Sequence, residues 1–266
     1  MNDADVLVEA VLASGVVLPA PPGGFLRLQA AAANEDAGPR ELAAAVSTDP
    51  AITGALLRVA NSPVFRPRNP VGSVQEAIAM LGRTRSLAIA TSTALRGQSA
   101  DLDGRAIEAI WSASASAAEC AFRACRALPC KALADTVYLA ALLQDAGIAV
   151  LLKRSPRWAP LFHAKASPES RARQLDVRTA SDHGAAGYLV ARNWRLPTEV
   201  CEAIRAHHDP ALALRLADGP RRIALLLAVG RRLRDGDSPD WADWARPVEE
   251  AFGLDPEALA ALEDSR

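Results

Sequence analysis

The chain has 266 residues, 50% of them apolar and 23% charged, enough to bury a sizeable core and too apolar for a disordered segment. Its formal net charge of −1 supplies no global field to gather nucleic acid or an anionic membrane, so any anion site must be local. Lysine occurs only at Lys131, Lys153 and Lys165, so the basic side chains are almost all arginine.

The N-terminal residues Met1-Asn2-Asp3-Ala4-Asp5 are acidic and precede no long apolar core, unlike a signal peptide, which leads to the expectation of a cytoplasmic protein. Ala, Leu and Arg then fill segments at helical spacing, and no run alternates in the manner of a half-buried strand, so the chain is predicted to be all-α. Asp49-Pro50 places a capping carboxylate before a proline suited to the first helical position. Asn61-Ser62-Pro63 suits a helix end, because asparagine tolerates the left-handed conformation and proline blocks continuation. The loop from Pro63 to Pro70 carries Arg66 and Arg68. Ser73 and Glu76 then form a capping box ahead of an apolar run that Gly82 can end, with Arg83 and Arg85 beyond it.

A polar stretch from Gly97 to Gly104 suggests a boundary, with a helical subdomain over residues 1–97 and a bundle with a C-terminal tail over 104–266. From Ile107 to Leu128 apolar residues recur every three or four positions, which predicts one long amphipathic helix lining the core. Cys120, Cys125 and Cys130 are five apart and point to different faces, so with Cys201 they read as buried free thiols and not as a zinc site. The stretch from Tyr138 to Leu152 is apolar apart from Gln144 and Asp145 and reads as a core helix, too short to span a bilayer. His163 reads as solvent-exposed. Trp241 and Trp244, three apart, are expected to pin a terminal helix to the core, and Asp255-Pro256 repeats the capping signal.

Several of these segments together resemble the HDOD domain, an HD-related output domain of bacterial signalling proteins. They are Leu18 to Pro22, Asp49 to Pro63, Val74 to Gly82, Ile110-Trp111-Ser112, the Leu142 to Gly147 stretch, Asp182-His183 to Gly187, Trp194 to Pro197 and His207-His208, over about Leu18 to Leu233. The resemblance implies an all-α fold, an N-terminal helical subdomain packed on an HD-like bundle, and a regulatory role. Working HD enzymes take metal ligands from a first histidine, a His-Asp pair and a distal aspartate. By position these fall near Ala113, at Gln144-Asp145, and on the helix from Ile223 to Gly230, which has no carboxylate. One surviving carboxylate does not assemble the ligands of a catalytic centre, so neither catalysis nor a cofactor is expected.

His183, His207 and His208 offer three imidazoles, sufficient in number for zinc. Adjacent residues on a helix diverge by about 100°, however, so His207 and His208 are not expected to share an ion, and structural roles are favoured. Ala113, Gln144, Asp145, His183, His207 and His208 are thus taken as a vestigial HD site without metal, with Asp145 a buried acceptor. Arg66, Arg68, Arg83 and Arg85 form the candidate surface for a protein partner or anion. No receiver or cyclase module is visible, so input would come through association with a signalling protein. Two alternatives stand beside a non-catalytic regulator: a metal-dependent phosphohydrolase or cyclic-dinucleotide phosphodiesterase with an altered ligand set, and a sensor that binds a small nucleotide without turnover.

Overall fold

The computed structural model describes residues 3–65, 67–238 and 240–264. Among them the regular structure is helical throughout: α1 (Asp3–Ala13), α2 (Gly23–Ala33), α3 (Pro39–Val46), α4 (Pro50–Ala60), α5 (Val74–Gly97), α6 (Gly104–Ala127), α7 (Ala134–Leu143), α8 (Ala146–Arg154), α9 (Pro168–Thr179), α10 (His183–Asn193), α11 (Thr198–Ala206), α12 (Pro210–Arg215), α13 (Asp218–Asp235), α14 (Trp241–Phe252) and α15 (Pro256–Asp264). Short 3₁₀ segments at Lys131–Leu133 and Pro156–His163 complete it.

The chain divides into two compact units, one of residues 20–98 and the other of residues 1–19 with 99–266. The division falls inside the Gly97 to Gly104 stretch, but the first 19 residues group with the C-terminal unit and not with 20–98 as the sequence suggested. α1 packs on α10, Arg154 donates to the Ser14 carbonyl at 3.3 Å, and the Pro19 carbonyl accepts from the Trp194 indole at 2.8 Å and the Asn193 amide at 3.1 Å.

In the smaller unit α2 to α5 enclose Phe25, Leu28, Ile52, Leu56, Ile78 and Leu81, all buried. The caps are those the sequence encodes. Asp49 accepts from the Ala51 and Ile52 amides, while Ser73 accepts from the Glu76 amide and Glu76 in turn accepts from the Gly72 amide. Gly82, at φ 79°, breaks α5 into two runs, a conformation glycine adopts without penalty. Asn61 behaves differently from expectation. It sits at φ −89°, and its side-chain amide exchanges hydrogen bonds with both backbone groups of Val71, closing the loop between α4 and α5.

In the larger unit the predicted long helix is α6, which packs on α7 and α13. Gly230 permits the close approach of α13, because a Cβ there would lie 2.7 Å from the Ala117 carbonyl oxygen. The apolar stretch from Tyr138 to Leu152 is two helices, α7 and α8, that part at Gln144-Asp145; 24 residues from Lys131 to Arg154 are long and apolar enough to cross a membrane, but 89% of the most apolar window is buried in the bundle. All four cysteines are buried free thiols. Trp244 is buried in α14, which packs on α13, and Asp255 caps α15 through the Ala258 amide.

Candidate functional site

Asp145 sits at the break between α7 and α8, directly before α8, and is buried. The next turn must pass close to α10: a Cβ on Gly147 would lie 2.0 Å from the His183 carbonyl oxygen and 2.5 Å from the Gly187 nitrogen. Only glycine allows this crossing, and it brings the start of α10 against Asp145. Asp182 caps α10 through the Ala185 amide, leaving His183 as the first helical residue, 2% exposed.

His207 and His208 arrive from the other side. The sequence reading placed them on one helix, diverging; the structure corrects this. α11 ends at Ala206 and both histidines lie in the turn before α12, where their ring centroids are 4.1 Å apart. One ligating atom from each of Asp145, His183, His207 and His208 falls within 4.8 Å of all the others. Three imidazoles and one carboxylate therefore converge.

Three of the four, Asp145, His183 and His207, are oriented from behind. The Asp176 carboxylate on α9 accepts from the His183 backbone amide at 3.0 Å and meets His183 Nδ1 at 2.6 Å. His207 Nδ1 lies 2.5 Å from the Ile204 carbonyl oxygen. Ser114 on α6 donates to Asp145 Oδ2 at 3.2 Å. Asp145 Oδ1 is left 3.9 Å from His183 Nε2 and 3.7 Å from His207 Nε2. These separations exceed a hydrogen bond, and both Nε2 atoms are buried without a partner.

Behind Asp145 lies a second layer centred on α13. Arg231, 6% exposed, donates to Gln144 Oε1 at 3.2 Å and to the His207 carbonyl at 2.5 Å, and pairs through Nε with Glu169 at 3.3 Å. Arg234 donates to the Ala113 carbonyl at 3.0 Å. Ala113 itself lines a cavity of about 10 Å³ beside Asp145, closed by Ile110, Ile148, Phe162 and Arg171 and large enough for roughly one water. Gln144, Asp145, His183, His207 and His208 thus lie together, with half-buried Ala113 at their edge. The sequence reading missed Ser114, Glu169, Asp176, Arg231 and Arg234, which carry no motif of their own; the one available signal was an arginine directly after the apolar run from Ile223 to Gly230.

The electrostatics follow from burial and neighbours. Burial works to raise the Asp145 carboxyl, but the His207 and His183 imidazoles and the Arg234 charge outweigh it and hold the group well below the usual carboxylate range. Burial also works to lower His183, and the Asp176 carboxylate reverses it, so this imidazole is pushed up. His207 and His208 are pushed down, burial being the main cause in both. Burial brings Arg231 down to about 10, which leaves it a cation at neutral pH.

The candidate arginine surface is less uniform. Arg66 lies outside the described residues. Arg68 is exposed, and the Arg85 guanidinium stacks over the Phe65 ring at 5.1 Å. Arg83 donates to four backbone carbonyls, those of Ala32, Asn34, Glu35 and Ala37, at 2.6–3.0 Å. That guanidinium closes the loop from α2 to α3. His163 is exposed, as the sequence suggests, and lies 2.9 Å from the Asp103 carboxylate that caps α6, linking the second 3₁₀ segment to that helix.

Known proteins share this all-helical architecture. The HDOD domain model matches residues 18–210. An HDOD domain protein of unknown function from Geobacter sulfurreducens is 21% identical, with a TM-score of 0.70 over 98% of this chain and 93% of that one. A Shewanella amazonensis protein described as "Putative metal-dependent phosphohydrolase" is 21% identical, with a TM-score of 0.67 over 100% and 99% of the two chains. A "Putative signal transduction protein" from Marinobacter aquaeolei is 25% identical, with a TM-score of 0.63 over 93% of this chain and 56% of that one. No curated protein matches. With the family model covering well over half of its length, the chain belongs to the HDOD domain family.

Proposed function

We propose that this chain is a non-catalytic regulatory domain of bacterial signalling that works by contact with a protein partner. The observation that supports the non-catalytic part is the place of Arg231. Where the resemblance to HD enzymes calls for a carboxylate on the late helix, α13 presents a buried guanidinium held between Gln144, Glu169 and the His207 carbonyl. A guanidinium keeps its charge and cannot be exchanged for solvent, so the region of the core facing Gln144 is closed to a metal-bound nucleophile. The cavity beside Asp145, about 10 Å³, has no room for a phosphoryl group. A signalling role accords with the family and with the Marinobacter relative described as a signal transduction protein.

The test is a hydrolysis assay on purified protein with cyclic dinucleotides and nucleoside mono- and triphosphates, with Mn, Fe(II), Ni or Zn added. No turnover above the metal blank is expected, and Gln144→His alone should not create any, since Ala113 and Arg231 remain. Multiple turnovers that vanish in Asp145→Ala would overturn the reading.

A further inference from the structure

The polar core holds an unfinished valence. His183 and His207 each have Nδ1 engaged by an acceptor, the Asp176 carboxylate for one and the Ile204 carbonyl for the other. A neutral imidazole whose Nδ1 donates carries its lone pair on Nε2. Both Nε2 atoms are buried, have no partner, and face the same oxygen, Asp145 Oδ1, at 3.9 and 3.7 Å. With both rings neutral, two lone pairs and an anionic oxygen directed at one point repel one another unless something positive, a proton or a metal ion, lies between them.

From this geometry we infer that Asp145, His183 and His207, with His208 as fourth ligand, form a mononuclear site for a divalent transition-metal ion. Two ligand atoms bound to one ion stand no further apart than twice a metal–nitrogen bond, roughly 4.2 Å, and about 3.4 Å apart in a tetrahedron. The separations of 3.7 and 3.9 Å fall in that range, and the widest pair, within 4.8 Å, closes with a small rotation of one ring. Two or three imidazoles with one carboxylate suit Zn, Fe(II), Ni or Co better than Mg or Ca, which favour all-oxygen shells.

The shell behind the ligands has the form metal sites use. A carboxylate orients one histidine, a main-chain carbonyl orients the other, and the Ser114 hydroxyl occupies the carboxylate oxygen that faces away. The nearby positive charge of Arg231 is paired with Glu169 at 3.3 Å, which offsets part of its repulsion of the ion. The ion would tie together the α7–α8 break, the start of α10 and the turn after α11, three segments separated in sequence. Its role here is a cross-link whose occupancy sets the rigidity of the bundle, and this assignment does not depend on the absence of catalysis.

The test uses the whole chain, stripped with a chelator and reloaded separately with Zn, Co(II), Ni or anaerobic Fe(II). Metal retained after gel filtration and the thermal midpoint are measured. About one equivalent retained is expected, with the midpoint raised by roughly 5–10 °C at saturating metal. Co(II) should show visible ligand-field bands characteristic of nitrogen and oxygen ligation. His183→Gln and His207→Gln should each weaken binding at least a hundredfold, His208→Gln about tenfold, and His163→Gln not at all. Circular dichroism on the same variants separates lost ligation from lost folding. Retention below a tenth of an equivalent in folded wild-type protein, or unchanged retention in folded His183→Gln and His207→Gln, would overturn the site. Binding without turnover supports both this site and the non-catalytic reading; binding with turnover removes only the latter.

Discussion

Arg83 in residues 20–98 and the Asp145 core in the remainder of the chain are both polar clusters set among packed helices, and they are satisfied in opposite ways. Arg83 meets four carbonyls at 2.6–3.0 Å, and every contact is a main-chain group held by the fold. In the Asp145 core Arg231 meets two side chains and one main-chain carbonyl, while Gln144 Nε2, Glu169 Oε2 and the converging Nε2 atoms of His183 and His207 are buried with no partner. A complete cluster is a structural device, since a ligand could reach it only by displacing bonds already made. An incomplete one, with its open atoms converging, has capacity left for an additional group. Charge alone does not distinguish the two; the count of unmet atoms does.

The largest expected effect tests the closed half of the Asp145 core. Arg231→Ala leaves buried Glu169 with only the Arg234 guanidinium at 3.7 Å and frees Gln144, and should cost roughly 3–5 kcal/mol in chemical denaturation. A loss below 1 kcal/mol would show that Arg231 does not hold the core shut. Gly147→Ala comes next. Its new Cβ would stand 2.0 Å from the His183 carbonyl oxygen, so α8 and α10 must separate, at a cost of about 3 kcal/mol. Because that separation also moves His183 away from Asp145, the folded fraction should lose metal affinity. Retained stability would mean that the α8–α10 crossing is not fixed.

Arg83→Ala probes the other cluster. Four carbonyls lose their donor, and because the site is partly open to water the cost should be smaller, about 1–3 kcal/mol. Metal retention should be unchanged. If Arg83→Ala instead left stability intact and weakened association with a partner, Arg83 would be a recognition residue after all.

How much of this was legible in the sequence follows a physical line. Helices, caps and the break at Gly82 are local, encoded within a few residues, as Asp49-Pro50 and Ser73-Val74-Gln75-Glu76 illustrate. The family order of motifs carried the fold and drew attention to Gln144, Asp145, His183, His207 and His208. Convergence of the histidines was not legible, because a helical assumption across Ala206-His207-His208 sends the rings apart, whereas α11 stops one residue before the pair. Arg83 looked like an exposed cation because its four partners, Ala32 to Ala37, are nearly 50 positions away and are main-chain atoms that leave no trace in residue type. Asp176 and Glu169 were hidden for a different reason: α9 is rich in charge, and nothing in its pattern marks the two carboxylates that turn to His183 and Arg231.

The smallest effect concerns pH in the metal-free protein, where the Asp145 core should give stability a maximum near pH 6.5, the ordinary histidine value. His207 and His208 are pushed down by burial, with Arg231 adding to it. Below 6.5 the unfolded chain therefore binds protons that the folded chain refuses, and stability falls as pH is lowered. Asp145 extends the loss: its depressed carboxyl contributes stability above its ordinary value of 3.8, which disappears as pH falls through the acid range. His183 works on the other side. Burial opposes its charge, but Asp176 overrides burial and raises it, so its contribution is complete below 6.5 and is lost as pH rises through the raised value. A net difference of one proton corresponds to a slope of about 1.4 kcal/mol per pH unit, and these partial differences should give less. Denaturation midpoints from pH 4.5 to 8.5 should show the acid slope reduced in His208→Gln and the alkaline slope reduced in Asp176→Asn. Saturating metal should steepen the acid side, because protons compete with the ion for the same nitrogens. A profile flat across this range in the metal-free protein, and unmoved by either substitution, would mean that the imidazoles do not sense one another as their geometry requires.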